Sequence, residues 1–149
     1  MSAIALYARA TAGFDDRVAA TLRRLRDAAT AHAGRIVQST SLGAEDMVVT
    51  DLIARHRLPI TIATLETGAL HPETVALIDR ITMHYGLPVA VFWPQAEAVV
   101  QFVRRHGDQA VYQSLDLRKA CCGIRKMEPL GRMLAGSSAW VTGLRREQS

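Results

Sequence analysis

Arg35-Ile36-Val37-Gln38-Ser39-Thr40-Ser41-Leu42-Gly43-Ala44-Glu45-Asp46 is the stretch on which the fold turns. Residues 35–39 read as a short strand, and a helix is expected over about 45–57, with Val48, Val49, Leu52 and Ile53 facing inward. Between them, residues 39–46 supply three hydroxyls, a glycine that permits close backbone approach, and the unpaired N–H groups of a helix start. Together these make a cradle for a phosphate or sulfate. The loop is neither GxxxxGK[ST] nor GxGxxG, so ordinary P-loop or dinucleotide chemistry is not indicated. Taken alone it reads equally well as a Ser/Thr-rich turn whose Glu45 and Asp46 favour the helix dipole.

Upstream, Asp15 or Asp16 can cap a helix through about Ala33, with Val18, Leu22, Leu25 and Ala29 as its apolar stripe and Gly34 closing it. Downstream, residues 60–65 form a β-branched apolar run, which suits a parallel strand buried on both faces. A turn over 66–72 leads into a helix ending at Tyr85, with Gly86 as its stop. A third strand is expected at 88–92 and a helix at 94–106. A basic, cysteine-bearing helix follows at 118–134 with a break at Pro129, then a last strand at 139–142. This order is that of an α/β domain with an open, mostly parallel sheet wrapped by helices. Without a repeat, linker or low-complexity segment, residues 1–149 read as a single domain.

The net charge of +4 comes mainly from arginines. They cluster at Arg23/Arg24/Arg26, Arg104/Arg105, Arg118/Lys119, Arg125/Lys126 and Arg145/Arg146. With only eight aromatic residues there is no stacking surface for nucleic acid, and a small anionic ligand is the more economical partner. The first three groups read as solvated helix faces. No run approaches the ~20 apolar residues that cross a bilayer. Residues 1–12 lack the basic start of a signal peptide, so a reducing, cytoplasmic location is expected.

Two further segments carry possible chemistry. Leu65-Glu66-Thr67-Gly68, followed by His71-Pro72-Glu73-Thr74, lies directly after a strand, and it is expected to face the same crevice as the hydroxyl loop. By itself it is also an ordinary βα turn. Lys119-Ala120-Cys121-Cys122-Gly123-Ile124-Arg125-Lys126 sets two thiols between cations, which favours thiolates and hence metal ligation. Such a pair can equally be two buried structural residues. A cubane iron–sulfur cluster generally takes four cysteine thiolates, and this sequence has two.

Taken together, these segments resemble the assimilatory adenylyl-sulfate and phosphoadenylyl-sulfate reductases, in the branch that carries a cluster. The resembling motifs are SxSxGAED at residues 39–46, LETGALHPET at 65–74, RKACCGIRKMEPL at 118–130 and WVTGLRREQS at 140–149. The resemblance implies an adenine-nucleotide α-hydrolase-like fold, related to the ATP pyrophosphatases, in a sulfonucleotide-binding domain. It implies adenosine 5′-phosphosulfate as substrate, reduced to sulfite and AMP in sulfate assimilation. Ser39, Ser41 and Gly43, with neighbouring Glu45 and Asp46, would line the phosphosulfate end. Leu65, Glu66, Thr67 and Gly68 would flank the nucleoside, and Lys126, Arg145 and Arg146 would face the anionic group. Cys121 and Cys122 match the paired ligands of a 4Fe-4S cluster. Thioredoxin or a similar thiol donor is the implied reductant, and a homo-oligomer is the expected assembly, with neither nucleic acid nor membrane as partner.

Three departures from the family pattern stand out. Its later CxxC pair and its C-terminal nucleophilic cysteine have no counterpart among these residues, so this polypeptide is expected to bind nucleotide without turning over. Glu66 stands where an Asp is usual. Leu42 stands where the pyrophosphatase loop SGGxDS has a glycine, which suits a loop that does not handle Mg-pyrophosphate. The competing readings are a reductase specific for the 3′-phosphorylated nucleotide, an ATP-pyrophosphatase or sulfate adenylyltransferase-type subunit, and a non-catalytic nucleotide-binding module.

Overall fold

The strand expected at the start of the hydroxyl loop runs over Ile36–Thr40 (β1) in the computed structural model, which describes residues 11–145. Residues 1–10 and Arg146 lie outside the described residues. β1 pairs in parallel with Thr61–Leu65 (β2) on one side and with Ala139–Val141 (β4) on the other. Ala90–Phe92 (β3) pairs in parallel with the far edge of β2, which gives the order β3-β2-β1-β4. The period of two sorts side chains between the faces. Ile36 and Ile62 pack with Leu25, Ala29, Leu52 and Ile53 on one side, while Val37 and Ala63 meet Met133 on the other. At Ile62–Thr64 β2 is buried on both faces, as its uninterrupted run predicts.

Helices Phe14–Ala31 (α1) and Ala44–Arg55 (α2) cover the first face. Gly13, not an aspartate side chain, occupies the N-cap of α1; Asp15 and Asp16 fall in its first turn, where they suit the helix dipole. The inward face of α2 carries Asp46, Val49, Thr50, Leu52 and Ile53; Val49, Leu52 and Ile53 turn inward as expected, while Val48 points outward and is 60% exposed, against expectation. The i, i+3, i+4, i+7 spacing admits two polar residues to that face, and a reading that follows apolar residues alone picks the wrong neighbour.

Pro72–Tyr85 (α3) opens on Pro72 and stops at Gly86, whose φ of 66° only glycine adopts at little cost. Ala96–His106 (α4) and a 3-10 turn at Ala110–Tyr112 lead to Leu115–Cys122 (α5). α5 starts earlier than its charge pattern suggests, because the Ser114 hydroxyl accepts the Leu117 N–H at 3.1 Å. The helix does not break at Pro129. Instead Gly123–Met127 widens into a π-turn, the Glu128 N–H reaching back five residues to the Gly123 carbonyl. Pro129 then sits in the first turn of Glu128–Leu134 (α6), where its missing N–H costs nothing. α6 lays Leu130, Met133 and Leu134 on the second sheet face. Arg23, Arg24, Arg26, Arg104, Arg105, Arg118 and Lys119 are exposed on their helices, as expected. Among the described residues no helix is long and apolar enough to cross a membrane.

Candidate functional site

Strand order decides where a ligand can sit. The chain runs outward from β1 through β2 to β3, then returns to place β4 on the opposite side of β1. Connections therefore diverge at the carboxyl end of β1, which is where open parallel sheets leave a crevice. A cleft of about 480 Å³ opens there, a size suited to a nucleotide. Its walls come from the β1–α2 loop, the turn after β2, the residues after β4, and the π-turn with α6. The two polar turns thus do face one crevice, as the sequence implied.

The hydroxyl loop is held chiefly by its own carboxylate. Asp46, 8% exposed, accepts the Ser41 N–H at 2.7 Å and the Ser41 hydroxyl at 2.6 Å on one oxygen, and the Gly143 N–H at 2.7 Å on the other. Thr40 accepts the Leu42 N–H on its hydroxyl at 3.0 Å, while its carbonyl accepts the Thr64 hydroxyl at 2.8 Å. Leu42, buried, takes a left-handed φ of 64°, a strained conformation for a leucine that these bonds hold in place. Gln38, fully buried, donates to the Asp46 carbonyl at 2.9 Å and accepts the Thr50 hydroxyl at 3.1 Å, tying β1 to α2. The buried polar side chains among the described residues all gather around this end of the sheet, and none lacks a partner. That is the pattern of a pre-organised polar site.

Ser39, Ser41, Glu45 and Asp46 line the cleft; Gly43 does not. Gly43 donates to the Ser41 hydroxyl at 3.3 Å, so the close approach it permits is that of its own loop. The Ser39 hydroxyl accepts the Trp140 indole N–H at 2.7 Å, which leaves its own proton for an acceptor in the cleft. In the second turn Leu65 and Thr67 line the cleft, whereas Glu66 and Gly68 do not. Glu66, 3% exposed, folds back so that Oε1 accepts the Gly68 N–H at 2.7 Å.

The cations divide. Lys126 lines the cleft and makes no ion pair among the described residues. Arg145 pairs with Glu45 at 3.3 Å, which places it beside the cleft mouth and offsets one of the two carboxylates of the loop. Arg146 lies outside the described residues. Cys121 and Cys122 are free, half-buried and absent from the cleft lining.

Apart from Leu65, the apolar part of the lining was not singled out as a site by sequence. Trp140 lies in β4, Thr142, Gly143 and Leu144 follow it, and Leu70, Leu130 and Met133 complete the wall. Trp140 is half exposed, with its ring available to a flat ligand. The WVTG motif held the signal, but only the pairing of β4 with β1 brings it to the hydroxyl loop. At Gly143 a Cβ would lie 2.6 Å from both the Asp46 nitrogen and its Oδ1, so the contact requires glycine.

Comparison with known proteins agrees with this geometry. The model of the phosphoadenosine phosphosulfate reductase domain matches residues 35–149. The adenosine 5′-phosphosulfate reductase of Allochromatium vinosum is 54% identical over 114 residues, spanning 76% of this chain and 44% of that protein. The enzyme of the same name from Burkholderia cepacia is 48% identical over 136 residues, 89% of this chain and 54% of its own. The chain thus spans about half the length of these relatives. A crystal structure of phosphoadenylyl-sulfate (PAPS) reductase from Candida auris, a phosphate complex, superposes with a TM-score of 0.63 at 22% identity, over 93% of this chain and 70% of that one. The fold is therefore the adenine-nucleotide α-hydrolase-like one. On the family model and these identities, the chain belongs to the phosphoadenosine phosphosulfate reductase family.

Proposed function

We propose that this chain is the nucleotide-binding part of an adenosine 5′-phosphosulfate reductase of sulfate assimilation. The observation that carries the reading is the convergence of the hydroxyl loop, Lys126 and the half-exposed Trp140 on one cleft at the switch point. Relatives near 50% identity bear the adenylyl-sulfate name, which favours that nucleotide over its 3′-phosphorylated form. The adenine would lie against the apolar wall of Trp140, Leu65, Leu70 and Leu130. The phosphosulfate would meet Ser39, the start of α2 and Lys126.

In this reading a thiolate attacks the sulfonate sulfur. A sulfur–sulfur bond forms as the sulfur–oxygen bond to phosphate breaks, and AMP leaves with the electron pair. The Lys126 ammonium and the first N–H groups of α2 offset the charge that gathers on the departing phosphate. A dithiol donor of the thioredoxin type then attacks the resulting S-sulfonate, releases sulfite, and ends as its own disulfide. Neither Cys121 nor Cys122 lines the cleft, so the attacking thiolate would reach it from outside the described residues.

Cys121 and Cys122 fit one half of a 4Fe-4S ligand set: both are free, half-buried and flanked by Lys119 and Arg125. No group of three or more His, Cys, Asp or Glu stands together among the described residues. Two further ligands would therefore be needed. When bound, the cluster would supply a fixed charge near the cationic wall. A cytoplasmic homo-oligomer completes the proposal.

Calorimetry tests the reading. Adenosine 5′-phosphosulfate and AMP are expected to bind, and Mg-ATP to bind poorly. Binding of Mg-ATP alone would favour the pyrophosphatase-type reading and defeat this one. Iron bound after anaerobic reconstitution should fall when either cysteine becomes serine.

A further inference from the structure

Arg125 lies in the π-turn, beside Lys126 and shortly after the two cysteines. Its Nη1 donates to the Thr67 carbonyl at 2.6 Å. Gly68, at φ 71°, makes room for it: a Cβ there would stand 3.0 Å from that nitrogen. The turn is gripped from two other sides. Glu66 closes it through the Gly68 N–H, and the Phe92 carbonyl of β3 accepts the Glu66 N–H at 3.0 Å. Arg125 does not itself line the cleft, whereas Leu65, Thr67 and Lys126 do. The π-turn changes the angular spacing of successive side chains, so Arg125 reaches the turn while Lys126 reaches the cleft.

We propose that Arg125 is a positioning residue that ties the Leu65–Gly68 turn to the segment bearing Cys121, Cys122 and Lys126. The bond holds the nucleoside wall and the cationic wall of the cleft at a fixed separation. A guanidinium donating to a carbonyl in a poorly solvated turn is stronger than a neutral pair, and its fixed fork keeps direction as well as distance. Thr67 is 7% exposed, so water does not readily replace the lost donor. The affinity consequence rests on the nucleotide reading above. The mechanical one does not.

The experiment compares the whole chain with Arg125→Met, Arg125→Lys and Arg104→Gln, the last removing the same charge from the exposed face of α4. Amide hydrogen exchange is measured without ligand, and AMP binding by calorimetry. In Arg125→Met, amides of residues 67–70 should exchange about tenfold faster while those of β1 and β2 keep their protection, and AMP should bind about tenfold more weakly. Arg125→Lys, which can still donate to the carbonyl, should recover much of both, and Arg104→Gln should change neither. Unchanged exchange at 67–70 in Arg125→Met would overturn the proposal, as would the same change in Arg104→Gln. If the wild-type chain failed to bind AMP, the nucleotide reading would fall and the exchange result would still decide the role of Arg125. Should Arg125→Met not fold, Gly68→Ala, which presses a methyl on the guanidinium, must loosen the same amides or the proposal fails.

Discussion

Replacing Gly143 by alanine adds one methyl group where the segment after β4 lies against the start of α2. The new carbon would stand 2.6 Å from the Asp46 nitrogen and Oδ1, and 2.8 Å from its Cα. Two of those three atoms are backbone of a helix start, which cannot swing aside. To restore an ordinary contact of 3.4 Å the segment must withdraw by about 0.8 Å, and the 2.7 Å bond from the Gly143 N–H to Asp46 is lost or badly bent. Forced overpacking costs about 1–3 kcal/mol. Losing one of three donors to a buried carboxylate costs about 1.5–3 kcal/mol more. Relaxation shares these terms, so roughly 3 kcal/mol is expected, a large part of the ~5–15 kcal/mol a domain has in hand. Thermal unfolding should show a fall on the order of 10 °C, accompanied by weaker binding of AMP. A double-mutant cycle with Asp46→Ala isolates the hydrogen-bond share, since without the carboxylate only the clash with backbone remains. If Gly143→Ala melted within about 2 °C of the wild type and bound AMP equally well, the latch between the two loops would be refuted.

Lys126→Gln should weaken adenosine 5′-phosphosulfate binding about tenfold and flatten its salt dependence, while the melting temperature stays put because the side chain is exposed. Gln38→Leu leaves the Asp46 carbonyl and the Thr50 hydroxyl without their buried partner, and chemical denaturation should show a loss of about 2–3 kcal/mol. Burial raises the Asp51 pKa, but hydrogen bonds from Tyr85 and Arg55 outweigh it, so the group ends below its usual 3.8. A depressed carboxylate stabilises the fold above its unfolded pKa and ceases to as pH falls through the folded value. The stability gap between wild type and Asp51→Asn should therefore be present at neutral pH and close in acid, as melts across that range would record.

Much of the scaffold was legible because its punctuation is local. Gly34, Gly86 and Pro72 mark turns and helix ends through their own backbone restrictions, and the run at residues 60–65 is apolar without alternation because both sides are covered. Strand order was not legible: parallel pairing joins residues far apart, and nothing near Trp140 says that it lies beside β1. For that reason the hydroxyl loop, the turn at Leu65 and Lys126 could be named as site residues, while Thr142, Gly143 and Leu144 could not. The shift of the helix break from Pro129 to the π-turn has a similar cause, since the residue that carries the missing N–H is not the one whose carbonyl geometry adjusts. Glu66 and Gly43 show a further limit. Their motif positions were read as ligand-facing, yet both satisfy their own turns, and chemical type alone does not distinguish these uses.

The hydrogen bonds of Ser39 with Trp140 and of Asp46 with Gly143 join positions 101 and 97 residues apart. Closing loops of that length is entropically slow, and pairings of high sequence separation tend to complete late in folding. The hydroxyl loop can acquire its local turn early, but the cleft is assembled only when residues 139–143 have docked against β1. On the proposed reading, capture of an adenine nucleotide should thus report the docking of β4 against β1, and a chain emerging from the ribosome gains the cleft only at that point. By mass action such a ligand would stabilise the chain with β4 docked over partly folded forms that lack the β4 side of the cleft.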